Sequence, residues 1–137
     1  MQVIGSASAT STRPPREFFD RWCDLATHPE WAPSMASFTL DGDFGVGATG
    51  TSRTADGRES RFRVTEVEDG RAYADTTEFE DAELTVRHVA EPDGDGSRLE
   101  LTASVDGPEQ EELAFELGDL SESLQRDLDA LVALLEK

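Results

Sequence analysis

The stretch LTVRHVAEPDGDGSRLELTASVDGP, residues 84–108, decides the architecture. Leu84–Glu91 and Leu99–Val105 alternate with a period of two, as half-buried strands do. In the second of these, Leu99, Leu101, Ala103 and Val105 share an apolar face opposite Arg98, Glu100, Thr102 and Ser104. Asp93–Gly94–Asp95–Gly96 is a tight turn between them, and Gly107–Pro108 ends the pattern. Beyond it the period lengthens. Leu113, Leu117, Leu120, Leu124, Leu128, Leu131 and Leu135 recur three or four residues apart, so Glu109–Lys137 reads as one long helix with a continuous stripe. Phe115, Val132 and Leu134 broaden the stripe, and Gly118 is expected to bend or loosen the helix. The stripe needs a concave partner, and a sheet of the preceding strands supplies one; a coiled-coil seam is the alternative.

Upstream, the same two-residue period recurs between Asp-Gly turns. Ser37–Leu40, Ala48–Thr54, Arg58–Glu68 and Arg71–Phe79 read as strands, with turns at Asp41–Gly42, Asp56–Gly57 and Asp69–Gly70. Gln2–Thr10 reads as an edge strand. Pro14–Pro15 opens a helix whose Phe18, Trp22 and Leu25 make one apolar face, widened by Phe19 and Cys23. His28–Pro29–Glu30–Trp31 reads as a one-turn helix or tight corner closed by Pro33, and from Ser34 onward the period is that of strands. The expected class is α+β: a curved antiparallel sheet of about seven strands wrapped around a C-terminal helix, with a short helix pair between strands one and two.

Length and charge bound the function. With 137 residues the chain suits one domain, 1–137, with a real core. Twelve basic against 30 acidic residues give a net charge of −18, which repels nucleic-acid and anionic membrane surfaces. No apolar run approaches the roughly 18 residues of a membrane span. Met1–Thr10 lacks the basic start and apolar stretch of a signal peptide, so a cytoplasmic location is expected. The single cysteine, Cys23, excludes an internal disulfide and is read as packing. His28, read as a cap or surface residue, and His88 lack a spaced acidic partner, so no metal site is expected. Gly45–Val46–Gly47 lacks the lysine and following helix of a phosphate loop, there is no nucleophile elbow, and no cofactor is expected.

Several stretches resemble START-like proteins, the superfamily that includes the polyketide cyclase/dehydrase and lipid-transport proteins. Val86–Thr102 resembles their late strands, and Val105–Asp106–Gly107–Pro108 their approach to the final helix. Arg126–Asp127–Leu128, Leu131 and Leu134–Leu135–Glu136 resemble that helix's close. Pro14–Asp20 and Pro29–Glu30–Trp31 resemble the first helix pair. The resemblance implies a helix-grip fold with a cavity between sheet and last helix. Members bind lipids, sterols, polyketides or hormones, and some are cyclases. No catalytic set is common to the superfamily, so none is carried over.

Alternation then nominates the cavity side chains. Phe62 and Val64, Val86 and His88, and Leu101 are expected to face inward; Tyr73 is placed inward because a buried aromatic gains about 2 kcal/mol or more. Trp22, Trp31, Phe38 and Phe115 are core or pocket-wall candidates, and Leu120 and Leu124 bring the helix stripe. These twelve are the expected ligand-contacting set. His88, Tyr73 and Asp75 face one volume and are the candidates for acid–base work, with Asp75 able to hold the histidine tautomer. The plain alternative is a satisfied core histidine, with Asp75 on a turn or in water. The first functional reading is binding of a small hydrophobic molecule, by a monomer or homodimer. The alternatives are a polyketide cyclase/dehydratase-type enzyme and a non-catalytic interaction or stress/chaperone cofactor module.

Overall fold

The computed structural model describes residues 1–32 and 35–137. The expectations placed on Pro33 and Ser34 lie outside the described residues. Seven strands form one antiparallel sheet: β1 (Gln2–Ser11), β2 (Met35–Leu40), β3 (Thr49–Thr54), β4 (Glu59–Glu68), β5 (Ala72–Phe79), β6 (Ala82–Asp93) and β7 (Gly96–Asp106). Their order, β1-β7-β6-β5-β4-β3-β2, is a meander whose first strand closes back beside the last. Asp-Gly turns join the hairpins where the sequence puts them, with Gly57 at φ 95° and Gly70 at φ 73°. Register shifts at Val3/Gly5, Met35/Ser37 and Val64/Glu66 add the local twist that lets the sheet curve.

Two helices follow β1. In α1 (Pro15–Cys23) a proline occupies the first turn, and Phe18, Phe19 and Trp22 are buried. A 3-10 helix, Leu25–Glu30, stands where the one-turn helix or corner was expected. His28 inside it is buried, not a surface residue: its Nε2–H donates to the Trp22 carbonyl at 2.8 Å, and its ring packs on Trp31 and Phe38.

The C-terminal segment is two helices, α2 (Gln110–Leu117) and α3 (Ser121–Leu135), not one. Gly118 adopts φ 69°, ψ −164°, a conformation essentially reserved for glycine, so the helix stops there and does not merely bend. Asp119 restarts it by accepting the Ser121 N–H at 2.9 Å. The stripe therefore splits. Leu128 and Leu131 are fully buried against the sheet, whereas Leu113 joins a separate small core with Ala82 and Val105. Phe115 is 91% exposed, so it belongs neither to the core nor to the space between the sheet and the last helix. Two residues from Leu113, it points about 200° away from the face that α2 buries.

α3 also covers the open edge of β1. Leu120 N–H donates to the Ile4 carbonyl at 2.9 Å, Ser6 N–H donates to Ser121 Oγ, and Gln125 both accepts from Ser8 N–H and donates to its carbonyl. An unprotected edge strand invites pairing with another chain; here helix side chains occupy its hydrogen-bonding groups. Gly5 permits this approach, because a Cβ there would lie 2.8 Å from the Ser121 nitrogen.

Candidate functional site

The register of the central strands builds the inner wall. One row across the sheet runs Val67, Tyr73, His88, Leu101, Ala7; the next runs Val64, Asp75, Val86, Ala103, Gly5. Leu99, Leu101, Ala103 and Val105 are all buried on this concave face. On the convex face, Glu66 of β4 and Arg87 of β6 flank Ala74 in register and pair over it at 2.7 Å. The small residues of β5 allow that ion pair to lie flat on the sheet.

A hollow of about 130 Å³ remains between the inner wall, the 3-10 helix and α3. Its lining is Trp31, Ala32, Met35, Phe38, Val86, Leu101 and Leu124, with His28, Asp75, His88 and Asp127 as the polar members. Of the twelve residues nominated from sequence, Trp31, Phe38, Val86, His88, Leu101 and Leu124 are brought together here. Trp22, Phe62, Val64 and Tyr73 are buried in the core around it and do not line it. Leu120 lies at the start of α3 over Gly5, away from the hollow.

The polar groups are set by burial. Tyr73 hydroxyl donates to Asp75 Oδ2 at 2.8 Å, and the His88 Nδ1–H donates to the Tyr73 carbonyl at 3.1 Å. Asp75 therefore bonds the tyrosine and does not orient the histidine; a backbone carbonyl does that, and it fixes the Nδ1–H tautomer because a carbonyl can only accept. Burial pushes the Asp75 carboxyl up to about 6 against the lowering effect of the Tyr73 hydrogen bond. Burial, then the Asp75 charge, raises Tyr73. Burial pushes His88 down to about 3 and His28 down to about 4, so both rings are neutral at neutral pH. Asp127, on α3, is pushed up to about 6, also by burial.

Four lining residues, His28, Ala32, Met35 and Asp127, escaped the sequence reading of the site. Asp127 lies three residues after Leu124 and so on the same helix face, a spacing that was available as a signal. His28 reaches the hollow through the 3-10 helix. Phe44, on the β2–β3 loop, stacks on Tyr73 with ring centroids 6.2 Å apart. Among the described residues no three of His, Cys, Asp or Glu are grouped to hold a metal ion. Among them, too, no helix is long and apolar enough to cross a membrane. A larger groove of about 800 Å³ lies outside, between β1 and the α2–α3 junction, lined by Val3, Ile4, Phe115 and Asp119 among others. Its acidic residues, Glu111 and Asp119, are exposed, so the buried chemistry belongs to the inner hollow.

Solved structures of the same architecture are numerous. Protein MLL2253 from Mesorhizobium loti superposes with a TM-score of 0.74 at 17% identity, over 96% of this chain and 95% of that one. Truncated norcoclaurine synthase from Thalictrum flavum gives 0.72 at 16% identity, over 98% and 96%. TTHA0849 from Thermus thermophilus gives 0.71 at 19% identity, over 94% of each chain. At these identities the likeness is one of fold: a curved sheet gripping a C-terminal helix. No curated protein matches the sequence. The family model described as polyketide cyclase / dehydrase and lipid transport matches residues 2–136, and the chain belongs to that family.

Proposed function

We propose that the protein binds a small, mostly apolar molecule in the hollow between the sheet, the 3-10 helix and α3. The observation that carries this reading is the lining itself: seven of its eleven residues are apolar, and the polar minority includes two neutral imidazoles and two carboxyls. Small-molecule sites have this makeup, an apolar wall with a few convergent polar groups. The family's description, which covers lipid transport and polyketide chemistry, supports it further. The volume sets the scale. An apolar cavity of about 150 Å³ holds a benzene ring, so one ring is the natural unit here.

The test is NMR titration with toluene. Shifts are expected at Val86, His88, Leu101 and Leu124, and Leu124→Trp, which fills the hollow from α3, abolishes them. Perturbation confined to the outer groove around Phe115, or a response unaffected by Leu124→Trp, overturns the reading.

One observation favours an enzyme at the same place. Asp75, poised near 6 and hydrogen-bonded by Tyr73, has the proton affinity of a general acid–base group. Under that reading Asp75→Asn removes turnover of a β-keto substrate while leaving its binding within about twofold. An unchanged rate excludes it.

A further inference from the structure

The groove between β1 and the α2–α3 junction shares no lining residue with the hollow. Val3, Ile4, Ala114 and Phe115 give it an apolar lining. Phe115 is 91% exposed and Val3 54%. α2 buries only Leu113, so the face of that helix that carries Phe115 has no partner in the core. Apolar side chains gathered in a groove and rimmed by polar ones mark an interaction surface. An aromatic ring at the centre of such a surface is the usual anchor of a contact.

The charge around this groove is one-sided. The segment 109–122 holds Glu109, Glu111, Glu112, Glu116, Asp119 and Glu122 and no basic residue. Among the described residues none of these acids is in an ion pair, whereas most of the arginines pair with carboxylates of other segments. The segment therefore keeps its charge. Like charges crowd it: Glu112 is the first cause that holds Glu109 above the ordinary carboxylate range. Glu111 lies one turn before Phe115, on the same helix face, and lines the groove together with Asp119. Asp119 accepts the Ser121 N–H, whereas the Glu111 carboxylate has no hydrogen bond among the described residues. The last turn of α2 carries no basic residue, so no side-chain cation of its own meets the partial negative charge of that helix end.

We propose that this groove docks a basic segment of another protein, with an apolar side chain seated against Phe115 and Val3 and a flanking lysine or arginine paired to Glu111. The exposed ring supplies the anchor, and the acids select the charge of the partner. A second copy of this chain is the wrong occupant. A two-fold contact sets a patch against itself, which here brings Glu111 and Asp119 against their own kind between chains of net charge −18. An anionic lipid surface is repelled for the same reason. Docking here does not depend on the hollow being a ligand site.

The experiment titrates the full chain with three end-blocked hexapeptides and follows its amide NMR shifts. The first has a central Leu–Phe pair flanked by lysines, the second replaces that pair with Ser–Gly, and the third replaces the lysines with glutamates. An ionic strength of about 0.15 M screens the rest of the acidic surface beyond about 8 Å. The first peptide is expected to shift Val3, Phe115 and Gly118 and to bind at least about tenfold tighter than either of the others. Phe115→Ser, at an exposed position, should leave the unfolding midpoint in place and weaken the first peptide by about tenfold, to the level of the second. Glu111→Lys should weaken it by about fivefold or more. Asp93→Lys makes the same charge change in the β6–β7 hairpin, at the other end of β7 from Gln2, and should alter binding by less than about twofold. An equal loss in Glu111→Lys and Asp93→Lys would reduce the attraction to overall charge and overturn the proposal. So would affinity that survives Phe115→Ser, equal binding of the glutamate peptide, or no binding of the first peptide to the unmodified chain. Sedimentation of the chain alone supplies the last check: a dimer that Phe115→Ser abolishes would assign the groove to a second copy and sink the basic partner.

Discussion

Tyr73 and Asp75 lie two residues apart on β5, and the tyrosine hydroxyl donates to Asp75 Oδ2 at 2.8 Å. Successive odd positions of a strand share a face, so the pair needs no loop to bring it together. The bond favours the charged carboxylate and so opposes the upward push of burial. Tyr73→Phe should therefore raise the Asp75 midpoint above its value of about 6. Carboxyl carbon shifts followed against pH measure it directly. A midpoint that stays put or falls would show that the hydroxyl does not govern this acid. The lost hydrogen bond should cost about 1 kcal/mol of stability.

Asp127 tests the cost of an acid among leucines. Its folded value, about 6, lies above the ordinary 3.8. The folded state then binds the proton more tightly than the unfolded chain. Stability is lost as pH rises from 3.8 through about 6, and the loss is complete above that. Asp127→Asn removes the penalty. At neutral pH it should stabilise the ligand-free protein by about 1 kcal/mol, once its partial solvent access is discounted. The gain should shrink as pH falls through 6 and vanish below 3.8. Denaturant midpoints at several pH values decide it, and a variant less stable than the parent at neutral pH refutes it.

What was legible in the sequence follows its periodicities. Alternation along Leu99–Val105 and Asp-Gly at every hairpin but β5–β6, where Glu80–Asp81 makes the turn, gave the strands and their inner faces, because a period of two admits only one buried set. The site was half legible. His88, Val86 and Leu101 follow from strand alternation. His28 and Asp127 do not, for different reasons. The burial of His28 depends on Phe38, in a strand beyond the next turn, coming back over the 3-10 helix. Asp127 is hidden when the stripe is read through leucines alone, although the spacing from Leu124 places it on the same face. Phe115 failed because, two residues from both Leu113 and Leu117, it lies about 200° from the face its own helix buries and so could not broaden that stripe.

The break at Gly118 can be tested directly. Its φ of 69° with ψ −164° is strained for any side chain, yet a Cβ there would meet nothing within 4 Å. The cost of Gly118→Ala is thus backbone strain alone, about 1–3 kcal/mol. Gly45→Ala, equally open and without a positive φ, should change stability by less than about 0.5 kcal/mol. Thermal or denaturant unfolding of the pair gives the comparison. Equal effects would mean the elbow is not set by the glycine.

The two histidines should titrate far below their ordinary 6.5. Burial is the first cause for each; hydrogen bonding to Trp22 partly offsets it in His28, while the charge of His28 adds to it in His88. Because their folded values are depressed, the folded state binds fewer protons, and stability from this source is lost as pH falls below 6.5 through about 4 and about 3. Asp75 and Asp127 oppose this between 3.8 and about 6. Ring-carbon NMR shifts separate the groups: neither imidazole should move between pH 8 and about 5. A midpoint near 6.5 for either ring would place it in contact with bulk water.

The cover over β1 makes the last prediction. Gln125 accepts from Ser8 N–H and donates to the Ser8 carbonyl, while Ser121 Oγ serves Ser6 N–H. These bonds are made by side chains of α3, so they can be removed one at a time without disturbing the pairing of β1 with β7. Gln125→Ala should speed amide exchange at Ser8 and leave Ser6 protected; Ser121→Ala should do the reverse. An amide held only by a side chain exchanges when that side chain goes, whereas one held by a strand waits for the strand to open. If both amides stay slow in both variants, the edge is guarded by something other than α3. If Gln125→Ala also makes the protein associate at high concentration, the freed edge of β1 has become a template for a second chain, as an uncovered strand edge is expected to be.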